Sequence, residues 1–569
     1  MKIALLQLNA RLGDPEGNGR KLEAAYAGAL QAGAELALAP ELAIPGYLLE
    51  DRLWEPGVRR RIEAESLRLA ALAGAVPLVF GTARPAPSGR LWNELWWCEG
   101  GALRHCARKR VLPSYDVFDE HRYFEPDPAP QPLVDYRGQR LGLSICEDLW
   151  ADPQLGNAPV AYGADPIADL VAAGATLILN ASASPSALGS YLPPGRSAPW
   201  AIPSKDDQRR RLLPGLARKH GIPVAYASRM GADSWLLFDG GSGLALPDGR
   251  WQGGEPFLEG MILVDTTAQG AAWRAVEDGP WLRKALVTGL RDNLAKQGLE
   301  ALVIGLSGGI DSAVALALAV EALGPGRVFG VALPTRFSSV QSSALAQEQA
   351  LHLGIGFLSL DADAPFAGFT AALEQGLPGR AFGLTDENLQ SRSRGSLLMA
   401  LTSEPELQRR LGTDRVAVLN TGNKSEAATG YFTLYGDGIG AFAPLGDCLK
   451  ARVYALARDL GEAVPLGVLQ RPPTAELRPG QTDEASLLPY TQLDAILGAA
   501  LEAQRPEEGL AEDLALLLDG SALAQARAAL PRILGLLRRT EFKRRQLPFA
   551  FKISPKAFGA GRRIPLTAG

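Results

Sequence analysis

Apolar residues in the first half of the chain fall into short, β-rich runs: KIALLQL, AELALA, VPLVFGTA, RLGLSIC, ATLILNA, PVAYAS and SWLLFDG. Runs of this length and composition predict strands. Between the first two, NGRKLEAAYAGALQAG places apolar residues at helical spacing. A further run, MILVD, ends this half at Asp265, and TTAQGAAWRAVEDGP after it is small, polar and closed by a proline, as a linker is. From Trp281 the pattern turns helical, with Leu282, Ala285, Leu286, Leu290 and Leu294 on one face. ALVIGL, RVFGVALP and IGFLSLD then predict strands that alternate with the helices AVALALAVEAL and QSSALAQEQALHLG. Such alternation predicts βαβ units and a doubly wound parallel sheet whose ligand site lies at the carboxyl ends of its strands. The expected organisation is a first domain over 1–265, a linker over 266–280 and a second domain over 281–569. The sequence has no internal repeat and no low-complexity tract.

Composition narrows the class without naming an activity. The 569 residues are 47% hydrophobic and 21% charged, with a net charge of −4, which is ordinary globular material. A nucleic-acid partner is not expected, because phosphate-backbone binding calls for a basic surplus. No stretch approaches the roughly 18 consecutive apolar residues of a membrane helix, so no membrane partner is expected. Cys98, Cys106, Cys146 and Cys448 are scattered, as are His105, His121, His220 and His352. Neither set has disulfide or zinc-ligand spacing, and a reducing, cytoplasmic location is expected.

Chemistry enters at three strings. Cys146 closes RLGLSIC and is followed by EDLW; Glu41 follows AELALAP; Lys109 lies in ARKRVLPSYDVFDEHRYF. A lone cysteine is more often a core residue, and a lone Glu or Lys a surface charge. Together, PELAIPGY, RKRVLPSYDVFDEHRYF and SICEDLW resemble the nitrilase superfamily, over Met1 to about Asp265. The resemblance implies an α-β-β-α sandwich with Cys146 as nucleophile, Glu41 as general base and Lys109 as oxyanion stabiliser. The chemistry suits these types: a thiol is mostly protonated near neutrality and needs a base, and a fixed cation holds a tetrahedral oxyanion. It further implies that Glu120 supports Lys109. CEDLW and ILNASASP resemble the glutamine-amidase branch, which makes Tyr115, Ser182 and Ser184 candidates for binding glutamine. The chain departs from that branch twice. SALGSYLPPGRSAPWAIPSK stands where a Gly-Lys pair usually follows within a few residues, and YASRMGADSWLLFDG lacks the usual Asn and Gln.

In the second half, SGGIDS, Ser307 to Ser312, joins an apolar strand to an apolar helix. Its glycines let backbone N–H groups approach an anion, and the helix N-terminus adds partial positive charge. It has no Walker lysine, which argues against γ-phosphoryl transfer. The loop resembles that of the ATP pyrophosphatase (adenine nucleotide hydrolase-like) family. LTDENLQSRSRGSLLMAL, NTGNKSEAATGYFTLYGDGIGAFAPLGD, PPTAELRPGQTDEASLLPY and FKRRQLPFAFKISPKAFG resemble the NAD synthetases within it, over Leu282 to Thr567. That resemblance implies that Ser307, Gly308, Gly309 and Ser312 cradle pyrophosphate and that Asp311 and Glu426 hold Mg²⁺. It implies that Thr421 and Lys450 face ATP, and that Asn388, Arg392, Asp437, Lys543 and Arg544 contact deamido-NAD. TAELRPGQTDEASL is expected to act as a lid over the nucleotide.

Both resemblances together imply ammonia release from glutamine and its ATP-dependent transfer to deamido-NAD, within an enclosed passage and in a homo-oligomer. Two other readings stand beside this one. One is an amidase for a different amide carrying a degenerate nucleotide domain, and the intact SGGIDS and TGNKSE strings weigh against it. The other is a nucleotide sensor without catalysis, which would be expected to have lost Cys146, Glu41 or Asp311.

Overall fold

The computed structural model describes residues 1–567 apart from 157, 473, 475, 479, 480, 482–486 and 560. Much of TAELRPGQTDEASL therefore lies outside the described residues. The chain forms two compact units. The first comprises Met1–Ser186 and Ser204–Val276, and the second Ala187–Pro203 and Glu277–Gly569. No helix among the described residues is long and apolar enough to cross a membrane.

The first unit is an α-β-β-α sandwich. One six-stranded sheet runs, edge to edge, Gly260–Asp265, Lys2–Gln7, Leu36–Leu38, Leu78–Pro85, Leu91–Glu99 and Ala102–Arg108. The other runs Trp251–Gly253, Gly243–Ala245, Val224–Ser228, Leu177–Ser182, Gln139–Ile145 and Val134–Tyr136. Alternate residues from both, including Ile3, Leu5, Leu38, Val79, Leu143, Ile145, Leu179 and Ala227, meet in one buried cluster. The period-two alternation of strands puts these side chains on the inner faces. The outer face of the second sheet is covered by the helices Pro166–Ala172 and Lys205–His220, through Ile167, Leu170, Leu212, Leu213 and Leu216.

Register decides what the strand ends hold. Ile145 pairs with Ala181 and Ala181 with Ala227 in parallel ladders, so Cys146 and Ala183 leave adjacent strands at the same edge. The hairpin Leu91–Glu99 with Ala102–Arg108 is not among the runs read from the sequence. Its strand LWNELWWCE buries polar Asn93 and Glu94 among tryptophans, which breaks the alternation that marks a strand.

The second unit is built on a six-stranded, wholly parallel sheet in the order Gly356–Ser359, Val328–Ala332, Ala301–Gly305, Val416–Leu419, Phe442–Ala443 and Phe549–Ala550. Numbered along the chain this is 3-2-1-4-5-6. The strand order reverses between Ala301–Gly305 and Val416–Leu419, the position where doubly wound sheets open a crevice for ligands.

Candidate active sites

In the first unit, Cys146 directly follows the strand Gln139–Ile145 and opens a single turn, Cys146–Leu149. Its φ of 43° is uncommon for a side chain with a Cβ, a conformation that clusters at functional sites. Buried Asp148 pins the turn by accepting N–H groups from Ile145 at 2.9 Å and from Arg110 and Val111 at 3.1 Å each. Glu41 lies three residues beyond Leu36–Leu38, and Lys109 immediately beyond Ala102–Arg108.

Lys109 Nζ donates to Glu41 Oε1 at 2.7 Å and to Glu120 Oε1 at 2.8 Å, and all three side chains are fully buried. Glu41 also accepts from Asn93 Nδ2 at 2.8 Å and from the Ala183 N–H at 3.0 Å. The Tyr47 hydroxyl donates to Glu120 at 2.6 Å. Burial pushes the Glu120 carboxyl up to about 7 against the pull of Lys109. Burial opposes the Lys109 ammonium, but Glu120 and Glu41 outweigh it and hold its pKa well above the ordinary lysine value. For Cys146, burial and the Glu41 charge push the thiol far up, and Lys109 only partly offsets them. The resting sulfur is therefore a thiol, and nucleophilic attack requires a base.

Beside the cysteine, Glu147 accepts from the hydroxyls of Tyr115 and Tyr162, each at 2.8 Å. Lys205, the first residue of its helix, sits 3.6 Å from the centroid of the Trp150 ring, and burial lowers its pKa to about 8 against the attraction of Glu147. Ser182 donates to Asn180 Oδ1 at 2.8 Å, within a buried network that reaches Ser144. Ser184 is buried just beyond the same strand. The structure thus brings Glu41, Lys109, Glu120, Cys146 and Tyr115 together and adds Tyr47, Asn93, Glu147, Tyr162 and Lys205. Glu147 was visible in CEDLW, whereas Lys205 was hidden at the far end of the long insertion.

In the second unit a cavity of about 450 Å³ opens at the switch point. Ser307 Oγ accepts the Gly309 N–H at 3.2 Å and shares a hydrogen bond with the Ser312 hydroxyl at 3.2 Å, and Gly309 caps the helix Ile310–Leu323. Gly308 has φ +69°, and a Cβ there would stand 2.4 Å from the Ser342 carbonyl oxygen. Lys450 Nζ pairs with Asp311 and lies 3.7 Å from Glu426. Asn423 donates to Asp311 at 3.0 Å and caps the helix that carries Glu426. Thr421, Asn388, Asp437 and Lys543 also line the cavity. Burial raises the Asp437 carboxyl, which accepts from Thr433 N and Ser391 Oγ.

Two of the expected residues do not line this cavity. Arg392 and Arg544 are not among the residues lining this cavity. Arg392 donates to the Leu434 carbonyl, and Arg544 donates to the carbonyls of Ala427 and Ala428 at the end of a helix. Arg394 lines the cavity instead, with Nε on the Leu333 carbonyl at 3.0 Å.

Comparison with known proteins also finds two regions in the chain. Residues 2–275 match the carbon-nitrogen hydrolase family and residues 282–547 the NAD synthase family. The chain is 36% identical over 583 residues to a glutamine-dependent NAD(+) synthetase of Synechocystis sp., covering 99% of this chain and 98% of that one. It is 37% identical over 587 residues to the enzyme of that name from Xanthomonas campestris pv. campestris, covering 100% and 98%. Among solved structures it resembles a glutamine-dependent NAD+ synthetase from Acinetobacter baumannii in complex with ADP, at 30% identity and a TM-score of 0.72, covering 99% of this chain and 98% of that chain.

Proposed function

Because the chain belongs to the glutamine-dependent NAD(+) synthetases, we propose that Glu41, Lys109 and Cys146 release ammonia from glutamine and that the Ser307–Ser312 loop serves the ATP-dependent amidation of deamido-NAD. The amidase is assigned to residues 1–265, the linker to 266–280 and the synthetase to 281–569. The observation that carries the reading is the buried Glu41–Lys109 pair with a strand-end cysteine, in one chain with a phosphate-cradling loop at the switch point of a parallel sheet.

In the first reaction Glu41 takes the Cys146 proton as sulfur attacks the glutamine amide carbon. Lys109 holds the oxyanion, ammonia leaves with a proton returned by Glu41, and water then hydrolyses the thioester to glutamate. Glutamine is a zwitterion, so its recognition calls for one fixed charge of each sign. Glu147, held by two tyrosines, suits the ammonium, and Lys205 suits the carboxylate.

In the second reaction the nicotinate carboxylate attacks the α-phosphorus of ATP, and pyrophosphate leaves toward the Ser307–Ser312 loop. Ammonia then attacks the acyl carbon and AMP leaves, completing the amide. Asp311 and Glu426, each side chain under 20% exposed, converge on Lys450. No group of three or more metal-type side chains occurs among the described residues. Two carboxylates nonetheless fit Mg²⁺, which typically takes one or two from the protein and the rest from phosphates and water. When bound, the ion supplies charge compensation to the departing pyrophosphate. Lys450 and Lys543 supply further positive charge at the cavity.

The test is an assay with deamido-NAD, ATP, Mg²⁺ and either glutamine or ammonium, following NAD and adenine nucleotide. Equal yields of NAD and AMP with both donors are expected. Formation of ADP in place of AMP would contradict attack at the α-phosphorus.

A further inference from the structure

The helix Tyr490–Leu497, in the second unit, is almost wholly buried. Its Leu493, Ala495, Ile496 and Leu497 belong to one apolar cluster with Leu449, Leu510, Leu514 and Ile533. Asp494 stands in the middle of that run and is fully buried. An aspartate is a poor helix former, and a buried carboxylate is costly unless its oxygens accept hydrogen bonds. Both oxygens of Asp494 accept, and neither bond serves its own helix. Oδ1 takes the Ser425 hydroxyl at 2.6 Å, and Oδ2 takes the Ala451 N–H at 2.7 Å.

These partners open the two helices that carry Glu426 and Lys450. Ser425 lies in Lys424–Thr429, directly before Glu426. Ala451 follows Lys450 at the start of Lys450–Leu460. A helix leaves its first N–H groups without partners inside it, and the side chain of the preceding residue ordinarily takes one of them. Leu449 precedes Lys450 and has no group for this. The task passes to neighbouring elements: the Lys450 N–H donates to Ser425 Oγ at 3.0 Å, and the Ala451 N–H to Asp494. One carboxylate and one hydroxyl thus join both helix starts through three hydrogen bonds.

The same helix reaches the Lys450 side chain. Tyr490, its first residue, has its ring centroid 5.0 Å from Lys450 Nζ, a cation–π separation. That ammonium pairs with Asp311 and lies 3.7 Å from Glu426. Tyr490–Leu497 therefore holds Lys450 at both ends, its backbone through Asp494 and its ammonium through Tyr490. Lys450 lines the cavity and Asp494 does not, so Asp494 acts on a ligand only through what it holds.

We propose that Asp494 is a positioning residue of the ATP-dependent reaction: through Ser425 and the Ala451 N–H it sets the Lys450 ammonium where the phosphates of ATP bind. The proposal rests on the reading of Lys450 given above and adds a residue, away from the ligand, that the reading does not name. An ammonium stabilises developing charge best where it is held in advance, and a displacement of about 1 Å costs roughly 100-fold in rate.

The experiment measures ammonium-dependent NAD formation, for kcat and the KM of each substrate. Calorimetric binding of ATP without deamido-NAD, and thermal unfolding, are measured beside it. Asp494→Asn replaces one acceptor by a donor, and Ser425→Ala withdraws the hydroxyl that joins the carboxylate to the Lys450 N–H. Each is expected to lower kcat by about tenfold or more, to weaken ATP binding, and to leave KM for deamido-NAD within about twofold of wild type. Gln492, on the same helix, bonds Gln525 at 2.8 Å. Gln492→Ala loosens this helix away from the cavity and is expected to keep wild-type kinetics whatever stability it loses. Wild-type kcat in folded Asp494→Asn would overturn the proposal; if that variant does not fold, wild-type kcat in Ser425→Ala does so. An equal kinetic loss in Gln492→Ala, or a rise in KM for deamido-NAD that matches the effect on ATP, would also overturn it, by making the helix a structural support alone. A wild type without ATP-dependent synthesis, or Lys450→Met with the wild-type rate, would instead refute the reading on which the proposal rests.

Discussion

In the proposed reading, Lys205 takes a role in binding glutamine from its placement. Its amine lies against Trp150 near Glu147, and burial lowers its pKa to about 8. Only the protonated form holds a carboxylate, so affinity for glutamine is retained below that pH and lost as pH rises through it. KM for glutamine is expected to be flat below about pH 8 and to climb toward roughly tenfold per pH unit above it. Lys205→Met should give a high KM at every pH with the rise abolished. A wild-type KM that stays flat to about pH 9.5 would contradict this assignment. Lys109 tests burial in another way. Lys109→Met should abolish glutaminase and, by leaving Glu41 and Glu120 facing each other without a cation, destabilise the first unit by about 3–5 kcal/mol in denaturant unfolding. Adding Glu120→Gln should recover part of the stability and none of the activity. At this scale the sequence was legible where a side chain sits in a strand-end string, as Glu41, Lys109 and Cys146 do. Arg392 does not line the cavity. On the helix Leu384–Leu401 the cavity is lined by Asn388, Ser391, Arg394, Gly395 and Leu398, and helical spacing does not separate Arg394 from Arg392, which donates to the Leu434 carbonyl instead. The role of Arg544 was not legible, because only tertiary structure decides whether a cation faces a ligand or caps a helix.

Among the elements, two glycines carry the turns on which the sites depend. Gly81 gives its N–H to the Pro40 carbonyl and accepts from Ile44 N, and a Cβ there would stand 2.3 Å from Leu42 N. Gly81→Ala should push the Glu41 segment off its strand, lowering glutamine-dependent synthesis and sparing ammonium-dependent synthesis. Gly308→Ala should instead impair the other site. Its positive φ costs about 1–2 kcal/mol for a residue with a Cβ, and the clash with Ser342 adds to that. NAD formation should fall with both donors while glutamate release persists. Steady-state rates with each donor separate the two patterns, and identical losses in both variants would contradict the assignment of these turns to different sites. Strands and helices with clean periodicity were legible in advance. The hairpin of Leu91–Glu99 was not, because Asn93 and Glu94 are polar residues buried to serve charges elsewhere in the fold.

At the scale of the whole molecule, one chain of the glutamine-dependent NAD(+) synthetase family carries a carbon-nitrogen hydrolase region and an NAD synthase region, to which the proposed reading assigns a thiol reaction and an adenylation. Each has its own buried charges, a lysine between two carboxylates in the first unit and another between Asp311 and Glu426 in the second. The central claim is that these chemistries are separable by nitrogen donor. The measurement that tests it most directly is NAD formation by Cys146→Ala, with glutamine and with high ammonium in parallel. The account predicts that glutamine-dependent synthesis is lost, by at least about 10³-fold, while ammonium-dependent synthesis stays near the wild-type rate. Equal loss with both donors, or glutamine-dependent synthesis that survives the substitution, would contradict it.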